Sequence, residues 1–158
     1  MIITSLSLSA SAKEFSLSVN TDKLMYALVK IENPRKNINA VGDKHLKHKA
    51  HGLLQVRKTT IDDAKRIAGE NEIRRKWGKR SLSESDMKNF AKAKWVSQVC
   101  LSHYGKYYTK KTGKIPTLEV YARIHNGGPF GWNKSSTRKY GKRAVKYAKA
   151  YSKSKRIS

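Results

Sequence analysis

Eleven carboxylates are scattered through a chain with 35 lysines and arginines, and one of them, Glu32, closes the apolar run "DKLMYALVKIEN". A carboxyl group at the end of a buried helix is partly withdrawn from water, which favours its protonated form and lets it act as a general acid. An exposed Glu pairing with a lysine would leave the same local pattern. Between Glu32 and Asp62 the only other acid is Asp43, in "AVGDKH". Facing Glu32, Asp43 would set a second carboxylate beside it; otherwise it simply fits the backbone of a Gly-Asp turn.

His45, His48 and His51 recur every three residues in "HLKHKAH". No carboxylate or thiolate ligand accompanies them, so a charged rim is the expectation, with no metal and no cofactor. Cys100 is the only cysteine, which excludes an intramolecular disulfide and a thiolate metal cluster. The fold must rest on its core.

The elements that position these groups follow from periodicity. Asn20 and Thr21 cap a helix in which Leu24, Leu28 and Ile31 share one face, and Pro34 stops it. "NINAVGDKHLKHKAHGLLQV" mixes turn residues with short apolar pieces and reads as a small β-hairpin lobe. A helix is expected from about Thr60 to Gly69, followed by a basic loop, "RRKWGKRS", around Trp77.

Ser81 and Glu84 form a capping-box pattern that predicts the start of a central core helix carrying Met87, Ala91, Trp95 and Val99. "YGKYYTKKTGKIP" reads as a loop whose Tyr104, Tyr107 and Tyr108 could stack on sugar rings or bases. "TLEVYARIHNGGP" predicts a helix ending at Asn126, and a basic helix spans roughly Ser136 to Tyr151. The class is α+β, mostly α, with an arm over residues 1–19, one domain over 20–151 and a basic tail over 152–158. The arm alternates serine with apolar residues and is read as an edge strand, a segment laid on a neighbouring subunit or virion protein, or a disordered tail.

The net charge of +24 points to a polyanionic partner: nucleic acid, an anionic membrane or a bacterial wall. No run approaches the length of a membrane-spanning helix. The opening "MIITSLSLSASAKEF" lacks the unbroken apolar core and leading basic residue of a signal peptide, so synthesis in the cytoplasm is expected.

"KIENPRKNINAVGD", "AHGLLQV" and "YARIHNGGPFGW" fall in the order and at about the intervals of the lysozyme-like peptidoglycan hydrolases. The section from "HYGKYY" to "GWNKSS" resembles invertebrate-type (destabilase) lysozymes, and "GLLQ" resembles the soluble lytic transglycosylases; together the resemblance covers about residues 22–147. It implies a lysozyme-like fold and makes Glu32 the acid that protonates the glycosidic oxygen. Gly52, Leu53, Leu54 and Gln55 would line the sugar cleft, and Tyr121, His125, Asn126 and Gly127 would support the acid and the sugar, with Trp132 stacking beside them. Asn33 and Trp132 depart from the disulfide-rich family pattern, since Trp132 stands where a cysteine is expected.

The resemblance implies a peptidoglycan-cleaving lysozyme that acts at the bacterial wall, a bacteriophage endolysin or virion-carried enzyme. Two chemistries stay open: hydrolysis with Asp43, or a one-acid lytic transglycosylase route giving a 1,6-anhydro sugar. A basic nucleic-acid-binding or structural virion protein is the rival class.

Overall fold

The structure, a computed structural model, describes residues 12–47 and 49–154. Residues 1–11 of the arm, His48, and residues 155–158 of the tail lie outside the described residues. The architecture is α+β and mostly helical, with six α-helices and a three-stranded antiparallel sheet among the described residues.

Helix α1 (Thr21–Glu32) begins where the Asn20 side chain accepts the Lys23 N–H at 2.8 Å, satisfying one of the unpaired donors of the first turn. Leu24, Met25, Ala27 and Leu28 are at most 1% exposed, and burying each of the larger three is worth about 2 kcal/mol. That apolar face fixes the helix axis and so the place where Glu32 ends it. Asn33 then folds the chain back: its Oδ1 accepts the Asn37 N–H at 3.0 Å and its Nδ2 donates to Asn37 O at 2.6 Å.

The lobe consists of β1 (Val41–Gly42), β2 (Ala50–His51) and β3 (Val56–Arg57), paired in that order with Val41 opposite His51 and His51 opposite Val56. Two-residue strands supply few ladder bonds, so side chains complete the lobe. The Arg57 guanidinium donates to Asp43 Oδ2, with Nε at 3.1 Å, and Gln55 Nε2 donates to Gly52 O at 2.7 Å.

Helix α2 (Lys58–Ala68) follows β3 directly and buries Ile61, Ala64 and Ala68. The first half of the segment expected as a basic loop, Arg74 to Trp77, instead ends α3 (Glu70–Trp77), which starts right after Gly69 and stops at the left-handed Gly78. Ile73 and half-buried Trp77 anchor it, Trp77 meeting Trp95 edge-on at 6.3 Å.

The capping box at Ser81–Glu84 does not open the central helix. A 3-10 turn over Ser85–Lys88 intervenes, because Asp86 accepts from both the Ser83 N–H and the Ser83 hydroxyl at 2.9 Å, and α4 (Phe90–Thr112) starts with Asn89 as its cap. Helix α4 absorbs most of the tyrosine- and lysine-rich stretch expected as a loop and stops at left-handed Gly113. Gly105 and Tyr108 are buried along that extension, so packing carries the helix through a polar sequence.

Helices α5 (Leu118–Gly127) and α6 (Arg138–Ser154) complete the body, with α6 lying along α1 and α5. Residues 12–19 pack on this same chain. Phe15 meets Trp95 edge-on at 6.1 Å, and the Ser18 hydroxyl donates to Pro116 O at 2.7 Å. No helix among the described residues is long and apolar enough to cross a membrane.

Asp86 gives a stability prediction. Burial alone would raise its pKa, but the Lys79 and Lys92 ammonium groups, at 2.7 and 2.6 Å, together with Ser83 hold it well below the ordinary carboxylate range. A folded-state pKa below the unfolded value stabilises the fold above about pH 4, and that stability is lost as pH falls toward the folded value. Urea titration of Asp86→Asn should show a loss of about 2–3 kcal/mol at pH 7 that shrinks below pH 4.

Candidate active site

A cleft of about 530 Å³ runs between the sheet lobe and the helical body. Glu32 enters it from the end of α1, and Asp43, Gln55 and Arg57 line it from the lobe. Thr59, Thr60 and Asp63 of α2, with Ser97, Cys100, Leu101 and Tyr104 of α4, form its far side. His125, Asn126 and Gly127 close it from the end of α5, beside Lys134.

Two residues from separate helices converge on the acid. The Tyr140 hydroxyl, on α6, donates to Glu32 Oε1 at 2.6 Å. His125 Nε2 lies 3.9 Å from the same oxygen and 3.2 Å from Leu54 O. A carbonyl oxygen only accepts, so Nε2 carries the proton. Burial lowers the His125 pKa against the opposing pull of Glu32, and a neutral imidazole results.

Burial and the neighbouring Glu32 raise the Tyr140 pKa above the ordinary tyrosine range, so its O–H stays a donor. Oε2 of Glu32 has no hydrogen-bond partner among the described residues. One oxygen is thus held in place and the other is left for chemistry, with the side chain 21% exposed.

Asp43 lines the same cleft as Glu32. Its φ of 51° puts a non-glycine residue in the left-handed region, where Asp is tolerated better than most. The turn role and the cleft role coexist, and Arg57 holds one of its oxygens.

Several expected cleft residues sit elsewhere. Leu54 is fully buried in the core, and only its carbonyl reaches the site through His125. Gly52 is buried beneath the lobe with a φ of +74°, and an added Cβ would lie 2.1 Å from Met87 O; close packing on the 3-10 turn, not sugar access, demands glycine there. Leu53 is half-buried against the core.

Tyr121 is 3% exposed and lies with its hydroxyl 3.2 Å from the Ser18 hydroxyl, on the face of α5 that meets the N-terminal segment. Trp132 packs edge-on against Tyr108 at 5.2 Å. Neither lines the cleft. Tyr107 packs on Phe130. Tyr104 does line the cleft, donating its hydroxyl to Asp63 Oδ2 at 2.6 Å.

Of the histidine row, His45 is exposed and His51 Nε2 lies 3.7 Å from Glu84. No cluster of three or more metal-binding side chains occurs among the described residues.

Sequence reasoning missed Tyr140, Asp63 and Ser97. Tyr140 lies 108 residues from Glu32, and only the packing of α6 along α1 unites them. Ser97 is 1% exposed, lines the cleft, and its hydroxyl is unpartnered among the described residues; in the sequence it reads as one polar residue within a core helix.

No protein-family model matches the chain. It is 39% identical to a lysozyme of Meretrix lusoria over 62 residues, which is 39% of this chain and 51% of that protein. The chain thus spans about half the length of the curated relative it matches. Its fold matches a chain in the crystal structure of Aeromonas hydrophila PliI in complex with Meretrix lusoria lysozyme, with a TM-score of 0.60 and 21% identity over 86% of this chain and 93% of that one. At that identity the likeness is one of fold.

Proposed function

We propose that the protein is a peptidoglycan-degrading glycosidase, a lysozyme that cleaves the β-1,4 bond between N-acetylmuramic acid and N-acetylglucosamine. The observation that carries this reading is the Glu32 carboxyl, fixed through Oε1 by the Tyr140 hydroxyl in a cleft of about 530 Å³. Glu32 donates its proton to the glycosidic oxygen, and Tyr140 and the neutral His125 keep it in place. Similarity to a lysozyme over 62 residues supports the same reading.

In the hydrolytic route Asp43 acts as nucleophile or as base for water, the second carboxylate of the pair. The pairing of Asp43 with Arg57 favours a second route with Glu32 alone, in which a substrate hydroxyl attacks and a 1,6-anhydro sugar leaves. The site of action is the bacterial wall, and a bacteriophage endolysin or virion-associated lysin fits the charge and the single cysteine.

A digest of purified peptidoglycan read by mass spectrometry tests both routes. Reducing-end muropeptides from the wild type, with a drop of about 10²-fold or more for Asp43→Asn, are the outcome expected for hydrolysis. Fragments lighter by one water, released equally by Asp43→Asn, would assign the anhydro route. No fragments would remove the glycosidase reading and leave a binding or structural role.

A further inference from the structure

Helix α6 separates its residues by type around its circumference. Gly141, Ala144 and Ala148 are buried, and Tyr140 and Tyr147 are half-buried against the core. Arg138, Lys139, Lys142, Arg143, Lys146 and Lys149 are exposed. At about 100° per residue these six cations fall within one arc of the helix, and none forms an ion pair among the described residues. The sequence has no acid after Glu119, so the stripe is not neutralised from its own helix. An arc of this kind repels itself and gains free energy only when a polyanion lies along it.

The helix that carries the stripe starts near the cleft. Tyr140, in the first turn of α6, holds Glu32, and Lys134, a few residues before the helix, lines the cleft. From Arg138 to Lys149 the cations extend about 16 Å along the axis, recurring every three or four residues, about one turn. Phosphates joined by a short polyol linker recur at a comparable interval.

Resting on the glycosidase reading, we infer that the exposed face of α6 is a docking surface for a linear polyol-phosphate polymer attached to the wall glycan. A strand bound in the cleft would bring its covalently linked polymer to the start of the stripe. The polymer's continuity with the substrate selects it over nucleic acid, which the charge alone would also attract.

The test uses the full chain carrying Lys139→Gln, Lys142→Gln, Lys146→Gln and Lys149→Gln, each exposed and outside the cleft. Binding to Gram-positive wall fragments is measured by sedimentation across a salt series, before and after chemical removal of the phosphate polymer, with duplex DNA as competitor. The expected result is at least tenfold weaker binding of the variant to intact walls near physiological salt. The slope of log affinity against log salt should be shallower by about 3 for the four lost cations, and the two proteins should bind stripped walls equally. Cleavage of short soluble glycan oligomers should be unchanged.

Equal binding of both proteins to intact walls would overturn the inference, as would wild-type binding to stripped walls as tight as to intact ones. Duplex DNA that displaces the protein from intact walls at equal phosphate concentration would overturn the choice of partner. Charge-dependent wall binding without fragment release would remove the glycosidase reading alone and leave the docking surface standing.

Discussion

Glu32→Gln should release no fragments from peptidoglycan under conditions where the wild type clears it, a fall in rate of about 10²–10⁴-fold. Glutamine fills the same volume and still offers an oxygen to the Tyr140 hydroxyl, so the hydrogen bond at 2.6 Å has a replacement acceptor. What is lost is the capacity to donate a proton in the proposed reaction. Thermal unfolding should therefore stay within about 0.5 kcal/mol of wild type. That pairing of results distinguishes a chemical role from a structural one, and clearance by the variant at the wild-type rate would remove Glu32 from the mechanism.

Gly52→Ala should have the largest effect on stability. The residue sits at a φ of +74°, and an added methyl would lie 2.1 Å from the carbonyl oxygen of Met87 and 2.9 Å from its carbon. Those atoms are backbone of the turn that precedes α4 and have no rotamer in which to escape. Left-handed strain contributes about 1 kcal/mol, and the forced separation of lobe and turn brings the expected loss to more than about 3 kcal/mol. Urea unfolding followed by circular dichroism measures it directly. Cleavage should fall as well, since Gly52 O is the acceptor that holds Gln55 and Leu54 O meets His125.

How much was legible in the sequence varies with how local the cause was. Helix α1 and its acidic end could be read because the cap Asn20, the stripe Leu24–Leu28–Ile31 and the stop Pro34 lie within fifteen residues. The turn before α4 could not, since it is set by Asp86 accepting from the Ser83 N–H and hydroxyl while Lys79 and Lys92 hold the same carboxylate, contacts that the capping-box spacing does not show. The stretch from Tyr104 to Thr112 looks like a loop by composition, yet the buried Tyr108 and Gly105, the latter pressed against the Tyr121 ring, continue the helix. The site divides in the same way. Glu32, Asp43, Gln55, His125, Asn126 and Gly127 line one cleft, whereas the hydroxyl that fixes the acid comes from a helix more than a hundred residues away.

The two walls of the cleft differ in how they are made. Every non-glycine residue with positive φ among the described residues, Lys36, Asp43 and Gln55, belongs to the lobe side, where each strand has only two residues. The opposite wall includes the 23-residue α4. Few ladder bonds and stored backbone strain lower the free energy needed to open the lobe without unfolding the helices. Amide protons of residues 40–47 and 49–57 should then exchange with solvent as one cooperative unit, well ahead of those in α4, and a ligand too broad for the closed cleft would gain admission through that opening.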